Sequence, residues 1–238
     1  MPRHARIVHP GVPMHAVQRG NNRSSCFVDD EDRRFYLLQL ARLSRDEACD
    51  LHAYCLMTNH VHLLFTPHRA DSCERFFRRL SLLYVQYVNR KYGRTGTLWE
   101  GRFRSSLVES ERYLMACYRY IERNPIRAGM VEHPRQYRWS SYGINAEGAA
   151  DPCVTPHAEY LRLGTLDSGR RRAYAQLLDV DLDPGTVDAI RSTINAGYAL
   201  GSEAFRKDME RRLGRRVGPG VPGRPRRAAV DEGQERPF

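Results

Sequence analysis

The stretch Leu51-His52-Ala53-Tyr54-Cys55-Leu56-Met57-Thr58-Asn59-His60-Val61-His62-Leu63-Leu64-Phe65-Thr66 decides the fold. Both of its apolar halves are rich in residues that suit a pleated, half-buried surface, and they are broken at Thr58-Asn59. The segment therefore reads as two strands of one hairpin. Successive strand residues point to opposite faces, which places His60 and His62 on one face and Val61 in the apolar layer behind them.

Upstream, Val12, Met14, Ala16 and Gln18 alternate loosely with Pro13, His15, Val17 and Arg19 until the turn signal Gly20-Asn21-Asn22, predicting a first strand over 12–19. Asp29 and Asp30 then offer an N-cap and a negative first turn to a helix that ends near Asp46. In it Phe35, Leu38, Ala41 and Tyr36, Leu40, Leu43 recur at helical spacing. Downstream, Phe76, Leu80, Leu83 and Tyr87 form the apolar stripe of a helix from Ser72 to about Tyr92, with Phe77, Tyr84 and Val88 beside it. Residues 97–108 are expected to be extended. A further helix starts after Ser110 and runs through Tyr120 toward Pro125, because the residue before proline is pushed away from helical angles.

The order strand, helix, strand, strand, helix, strand, helix is that of an α+β sandwich in the ferredoxin-like manner, an antiparallel sheet covered by helices, over residues 1–145. Residues 146–213 carry short amphipathic patterns, including Thr186 to Asn195 and Ser202 to Leu213, and are expected to form a helical C-terminal extension packed back on the core. Residues 214–238 are rich in Gly, Pro and Arg and are expected to be a disordered basic tail.

The formal charge of +10 over 238 residues comes almost wholly from arginine, whose planar fork suits bidentate phosphate contacts. Nucleic acid is the favoured partner, although arginine usage also follows genomic base composition and does not alone fix a function. The six cysteines form no C-x-x-C pair and no zinc-ribbon spacing, and several stand in apolar runs, as in a reduced cytoplasmic protein. The first residues lack the apolar stretch of a signal peptide, and no segment approaches the length of a membrane span. A cytoplasmic, nucleoid-associated protein with no membrane partner is the expectation.

His60 and His62, two apart on a strand, are close enough to share one divalent ion, although a bare H-x-H also suits two surface or hydrogen-bonding histidines. Tyr120 and Asn124 are four apart on the predicted last helix and so share one of its faces. Tyr118 falls with Leu114 and Ile121 on the core stripe, whereas Tyr120 is displaced toward Arg123, Asn124 and Arg127. Ordinary amphipathic packing also suits Tyr113, Tyr118 and Tyr120, but the polar side singles out Tyr120 as the candidate nucleophile.

Five segments resemble a known family in its own order: His15-Ala16-Val17-Gln18-Arg19-Gly20-Asn21, Met57-Thr58-Asn59-His60-Val61-His62-Leu63-Leu64, Leu98-Trp99-Glu100-Gly101-Arg102-Phe103, Tyr120-Ile121-Glu122-Arg123-Asn124-Pro125-Ile126-Arg127-Ala128-Gly129 and Trp139-Ser140-Ser141-Tyr142. The family is that of the REP-associated tyrosine transposases, relatives of the single-tyrosine insertion-sequence transposases within the HUH nucleases. The Gly223-Arg224-Pro225-Arg226-Arg227 ending is similar to the tail such proteins carry.

The resemblance implies that His60 and His62 are metal ligands, with Asn124 beside them, that Tyr120 is the nucleophile, and that the ion is Mg2+ or Mn2+. Asn124 stands where the insertion-sequence relatives have glutamine, and this shorter side chain leaves direct ligation and contact through water both open. The implied partner is single-stranded or hairpin DNA with a short unpaired flank, of the kind found in repetitive extragenic palindromes. The implied activity is a DNA endonuclease and strand transferase, a transposase, working through a phosphotyrosine intermediate.

Arg19, Arg102, Arg104, Arg123 and Arg127 are expected to border the DNA groove, and Arg224, Arg226 and Arg227 to add charge from the tail. The active protein is expected to be a monomer or a homodimer. A DNA-binding regulator that has ceased to cut is the alternative on the same fold. A phosphoesterase fits less well, because no second H-x-S/T element is present and Leu64 and Phe65 stand where an H-x-H-x-D-H site needs acid and histidine.

Overall fold

The computed structural model describes residues 6–219. Strands β1 (Met14–Arg19), β2 (Cys49–Met57), β3 (His60–Pro67) and β4 (Arg104–Leu107) form one sheet in the order β2-β3-β1-β4, with every neighbouring pair antiparallel. The hairpin is closed by Thr58-Asn59, with Met57 opposite His60 and Cys55 opposite His62. An irregularity in pairing between Leu51 and Ala53 shifts the register. Leu51, Tyr54 and Leu56 belong to one core layer, and Ala53, Cys55 and Met57 to the other.

Helices α1 (Asp30–Asp46) and α2 (Ser72–Lys91) cover the first face, burying Met14, Ala16, Val61, Leu63 and Phe65. The α1 N-terminus is held by a capping box. Asp29 accepts from the Asp32 backbone N–H, and the Asp32 carboxylate accepts from the Asp29 N–H; such a cap contributes about 1 kcal/mol.

The opposite face receives α3 (Ser110–Glu122), which buries Leu114, Cys117, Tyr118 and Ile121. The helix expected to run toward Pro125 ends at Glu122 and resumes as the short α4 (Asn124–Arg127). Pro125 has no N–H to donate to the preceding turn, so the helix breaks there. The extended segment expected over 97–108 contains only four strand residues, Arg104 to Leu107, because pairing with β1 stops at Arg104 opposite Val17.

Beyond it lie α5 (Tyr142–Asn145), α6 (Ala158–Leu161), α7 (Asp167–Asp179), α8 (Pro184–Ala196) and α9 (Glu203–Leu213). Tyr160, Tyr174, Leu178 and Ile190 enter the same apolar cluster as α3, so this extension packs back on the core. At its centre the wholly buried Glu122 carboxylate accepts from Ser141 Oγ at 2.5 Å, Asn145 Nδ2 at 2.8 Å and Tyr174 Oη at 2.7 Å. The charged side of α3 is tied down as well. Arg119 donates to Val180 O at 2.7 Å, and Arg123 donates to Leu178 O and pairs with Asp181.

Packing also continues past 213, where the basic tail is expected to begin. Val217 is buried, and its carbonyl accepts from Ala199 N at 2.8 Å. The remaining tail residues, Arg224, Arg226 and Arg227 among them, lie outside the described residues. Among the described residues all six cysteines are free and buried, and no helix is long and apolar enough to cross a membrane.

Candidate active site

Two histidines of β3 and one of β1 meet on the α3 side of the sheet. Val17 pairs with His62 and Arg19 with His60, so β1 presents His15, Val17 and Arg19 on the histidine face. The His60 and His62 rings lie 5.0 Å apart at 78°. His15 stacks on His62 at 5.1 Å, and Tyr120 from α3 sits edge-on to both, 5.8 Å from each ring. The expected face for His60 and His62, and the expected proximity of Tyr120, are what the strand register and the α3 packing produce.

Hydrogen bonds orient the rings. Asn59 Nδ2 donates to Arg23 O at 3.1 Å, which turns Asn59 Oδ1 toward His60 Nδ1 at 2.7 Å. An amide oxygen only accepts, so His60 carries its proton on Nδ1 and keeps the Nε2 lone pair free. Asn59 is fixed in turn by Gly20 N, which donates to Asn59 O at 2.8 Å. A Cβ at Gly20 would stand 2.2 Å from Ser24 O, so only glycine permits this approach. On the other ring, His62 Nδ1 and His15 Nε2 share a hydrogen bond of 2.9 Å.

Burial keeps all three imidazoles neutral. It pushes His15 down to about 3, helped by the Arg127 cation, and His60 down to about 4, helped by Arg19. His62 falls well below its ordinary range, first through burial and then through His15 and His60. Neutral imidazoles with free Nε2 atoms are the form a cation ligates. Among the described residues no group of three or more His, Cys, Asp or Glu could hold a metal. A divalent ion here would therefore rest on His60, His62, the Asn124 amide and oxygen atoms from elsewhere.

Tyr120, 6% exposed, and Asn124 border one cleft of about 1170 Å³ together with His60 and His62. Arg127 lies with its guanidinium 4.1 Å above the Tyr120 ring and donates to Tyr120 O. Burial lowers this guanidinium to about 10. Tyr118 is wholly buried against Tyr160 and Tyr174, on the core side where its spacing places it.

Arg19, Arg102 and Arg104 line the cleft. Arg123 does not. Its place on the polar side of the helix faces α7 rather than solvent, and its guanidinium is spent on Leu178 O and Asp181. Two contributions escape the sequence reading. His15 is one polar residue in an alternating strand, and only the strand register brings it to His62. Arg191, Asn195 and Tyr198 reach the cleft from the C-terminal extension.

Residues 10–124 match the model of the family described as "Transposase IS200 like". That segment contains the whole sheet, the three histidines, Tyr120 and Asn124. A Haemophilus influenzae protein provisionally named a REP-associated tyrosine transposase is 26% identical over 102 residues, which cover 38% of this chain and 57% of that relative. The chain thus spans little more than half the length of this curated relative. A solved REP-associated tyrosine transposase bound to a REP hairpin has the same fold, with a TM-score of 0.53 at 17% identity over 66% of this chain and 93% of that one. The first three of the five segments fall within residues 10–124, and the H. influenzae relative bears the name of the family that they resemble.

Proposed function

We propose that this chain, IS200-like over residues 10–124, is a metal-dependent single-stranded DNA endonuclease and strand transferase that acts at hairpin sequences through a covalent Tyr120–DNA intermediate. The observation that carries the reading is the placing of the Tyr120 ring 5.8 Å from His62, on an arginine-lined cleft. The transposase family, the name of the H. influenzae relative and the REP hairpin held by the solved structure agree with it.

Tyr120 Oη attacks a phosphodiester phosphorus, the new O–P bond replaces the P–O3′ bond, and the departing 3′ oxygen takes up a proton. The phenolic proton passes to water, since neutral imidazoles with depressed proton affinity do not retain it. Arg127 above the ring offsets the charge on the phenolic oxygen once that proton has left. A divalent ion bound by His60 and His62 would neutralise the phosphate and polarise it as a Lewis acid. Asn124, on the same cleft, would orient phosphate oxygens or help to hold the ion. One phosphodiester replaces another, so a second 3′-hydroxyl reverses the step without a nucleoside triphosphate.

The test is incubation with end-labelled hairpin DNA and Mn2+, followed by denaturing electrophoresis. Tyr120→Phe should bind the DNA yet form no adduct and cut no strand, whereas Tyr118→Phe should remain active. An adduct that survives in Tyr120→Phe would overturn the reading.

A further inference from the structure

The cleft has a second wall that belongs to the C-terminal extension, outside the residues matched by the family model. The segment after α8 is stitched to the end of β4. Leu200 N donates to Leu107 O at 2.8 Å, Glu109 N donates to Leu200 O at 2.9 Å, and the Glu109 carboxylate accepts from Ser202 N and Oγ at 2.7 and 2.8 Å. Across the cleft mouth Arg104 Nη1 donates to Asn195 Oδ1 at 2.7 Å. Eight charged or titratable cleft-lining groups besides the histidines and tyrosines are seven arginines and one glutamate, Glu100.

Among the described residues no carboxylate is within ion-pair reach of Arg19, Arg102, Arg191 or Arg216. Arg191 and Arg216 are exposed, and Arg191 is close enough to Arg127 to repel its charge. A trough in which these four arginines have no ion-pair partner among the described residues attracts an anion. Its volume of about 1170 Å³ exceeds the roughly 300–1,000 Å³ of small-molecule pockets, which favours a polymer. Tyr198 adds an aromatic ring to the same wall, and phosphate contacts beside a stacking ring are how single strands are held.

Resting on the strand-transfer reading above, we infer that residues 184–218 form the far wall of the DNA groove, where Arg191 and Arg216 contact the phosphates of the unpaired strand that passes Tyr120. The strand lies between this wall and Arg19 and Arg102 of the sheet side. Contacts of this kind position DNA without reading its bases.

The experiment measures binding in the Tyr120→Phe background, so that cleavage does not intervene. The probes are a labelled hairpin with an oligothymidine flank and the same hairpin with a blunt end. Arg191→Ala/Arg216→Ala should weaken the flanked hairpin roughly tenfold. It should flatten the log–log salt slope by about 0.7 for each contact removed, and leave the blunt hairpin unaffected. Unchanged affinity and slope for the flanked probe, or equal loss for both probes, would overturn the inference. So would faster cleavage by the double variant with Tyr120 intact, which would mark the wall as a plug. Adduct formation by the unmodified chain is scored separately, so a protein that binds through this wall but never cuts refutes the proposed function alone.

Discussion

His15 Nε2 lies 2.9 Å from His62 Nδ1, and the His15 ring is wholly buried. Were His62 to ligate a cation through Nε2, as proposed, its Nδ1 would carry the proton and His15 Nε2 would accept it; His15 would then be a positioning residue for His62. Outer partners of this kind are worth about 10–100-fold in metal affinity. His15→Phe is expected to lower Mn2+ affinity by that order in titration calorimetry, with His15→Gln restoring part of it through an amide oxygen. Equal affinity in all three proteins would remove the role.

Glu122 makes stability depend on pH. Burial raises its carboxyl to about 7 against three donated hydrogen bonds, from an ordinary 4.5. The raised value means that the folded state keeps a proton the unfolded chain has released. The contribution is therefore full below the ordinary carboxylate range and is lost as pH rises through about 7, by ~3 kcal/mol. Glu122→Gln should abolish this dependence, since its oxygen accepts from Ser141 and Asn145 while its amide donates to Tyr174. Melting curves from about pH 5 to about pH 8 test it: the unmodified protein should lose stability relative to the variant, and parallel curves would refute the assignment.

Two truncations separate packing from charge. Ending the chain after Leu213 removes buried Val217 and its bond to Ala199, so it should destabilise the fold by roughly 1–3 kcal/mol in urea denaturation. Ending it after Pro219 should flatten the salt dependence of DNA binding, because Arg224, Arg226 and Arg227 are gone. A salt slope indifferent to the second truncation would deny the tail a part in affinity.

Much of this was legible in the residues because it is periodic or local. Alternation fixes the face of His60 and His62, helical spacing separates Tyr118 from Tyr120, and Asp29 marks the start of α1. What escaped depends on which surfaces meet. A helical wheel puts Arg123 on a polar side but does not show that α7 covers that side. Nothing in Thr186 to Asn195 distinguishes a helix that closes a cleft from any other amphipathic helix. His15 acquires a partner only through the pairing of β1 with β3.

The clamps on the outer side of α3 have a dynamic consequence. Arg119, Glu122 and Arg123 grip residues 174–181, while Tyr120 occupies the same two turns of helix. Local opening of α3 requires the release of these contacts with α7, so the two helices are expected to open as one foldon. Their amides should share a single protection class in hydrogen exchange, and the phenolic oxygen stays at its station for as long as that unit remains closed.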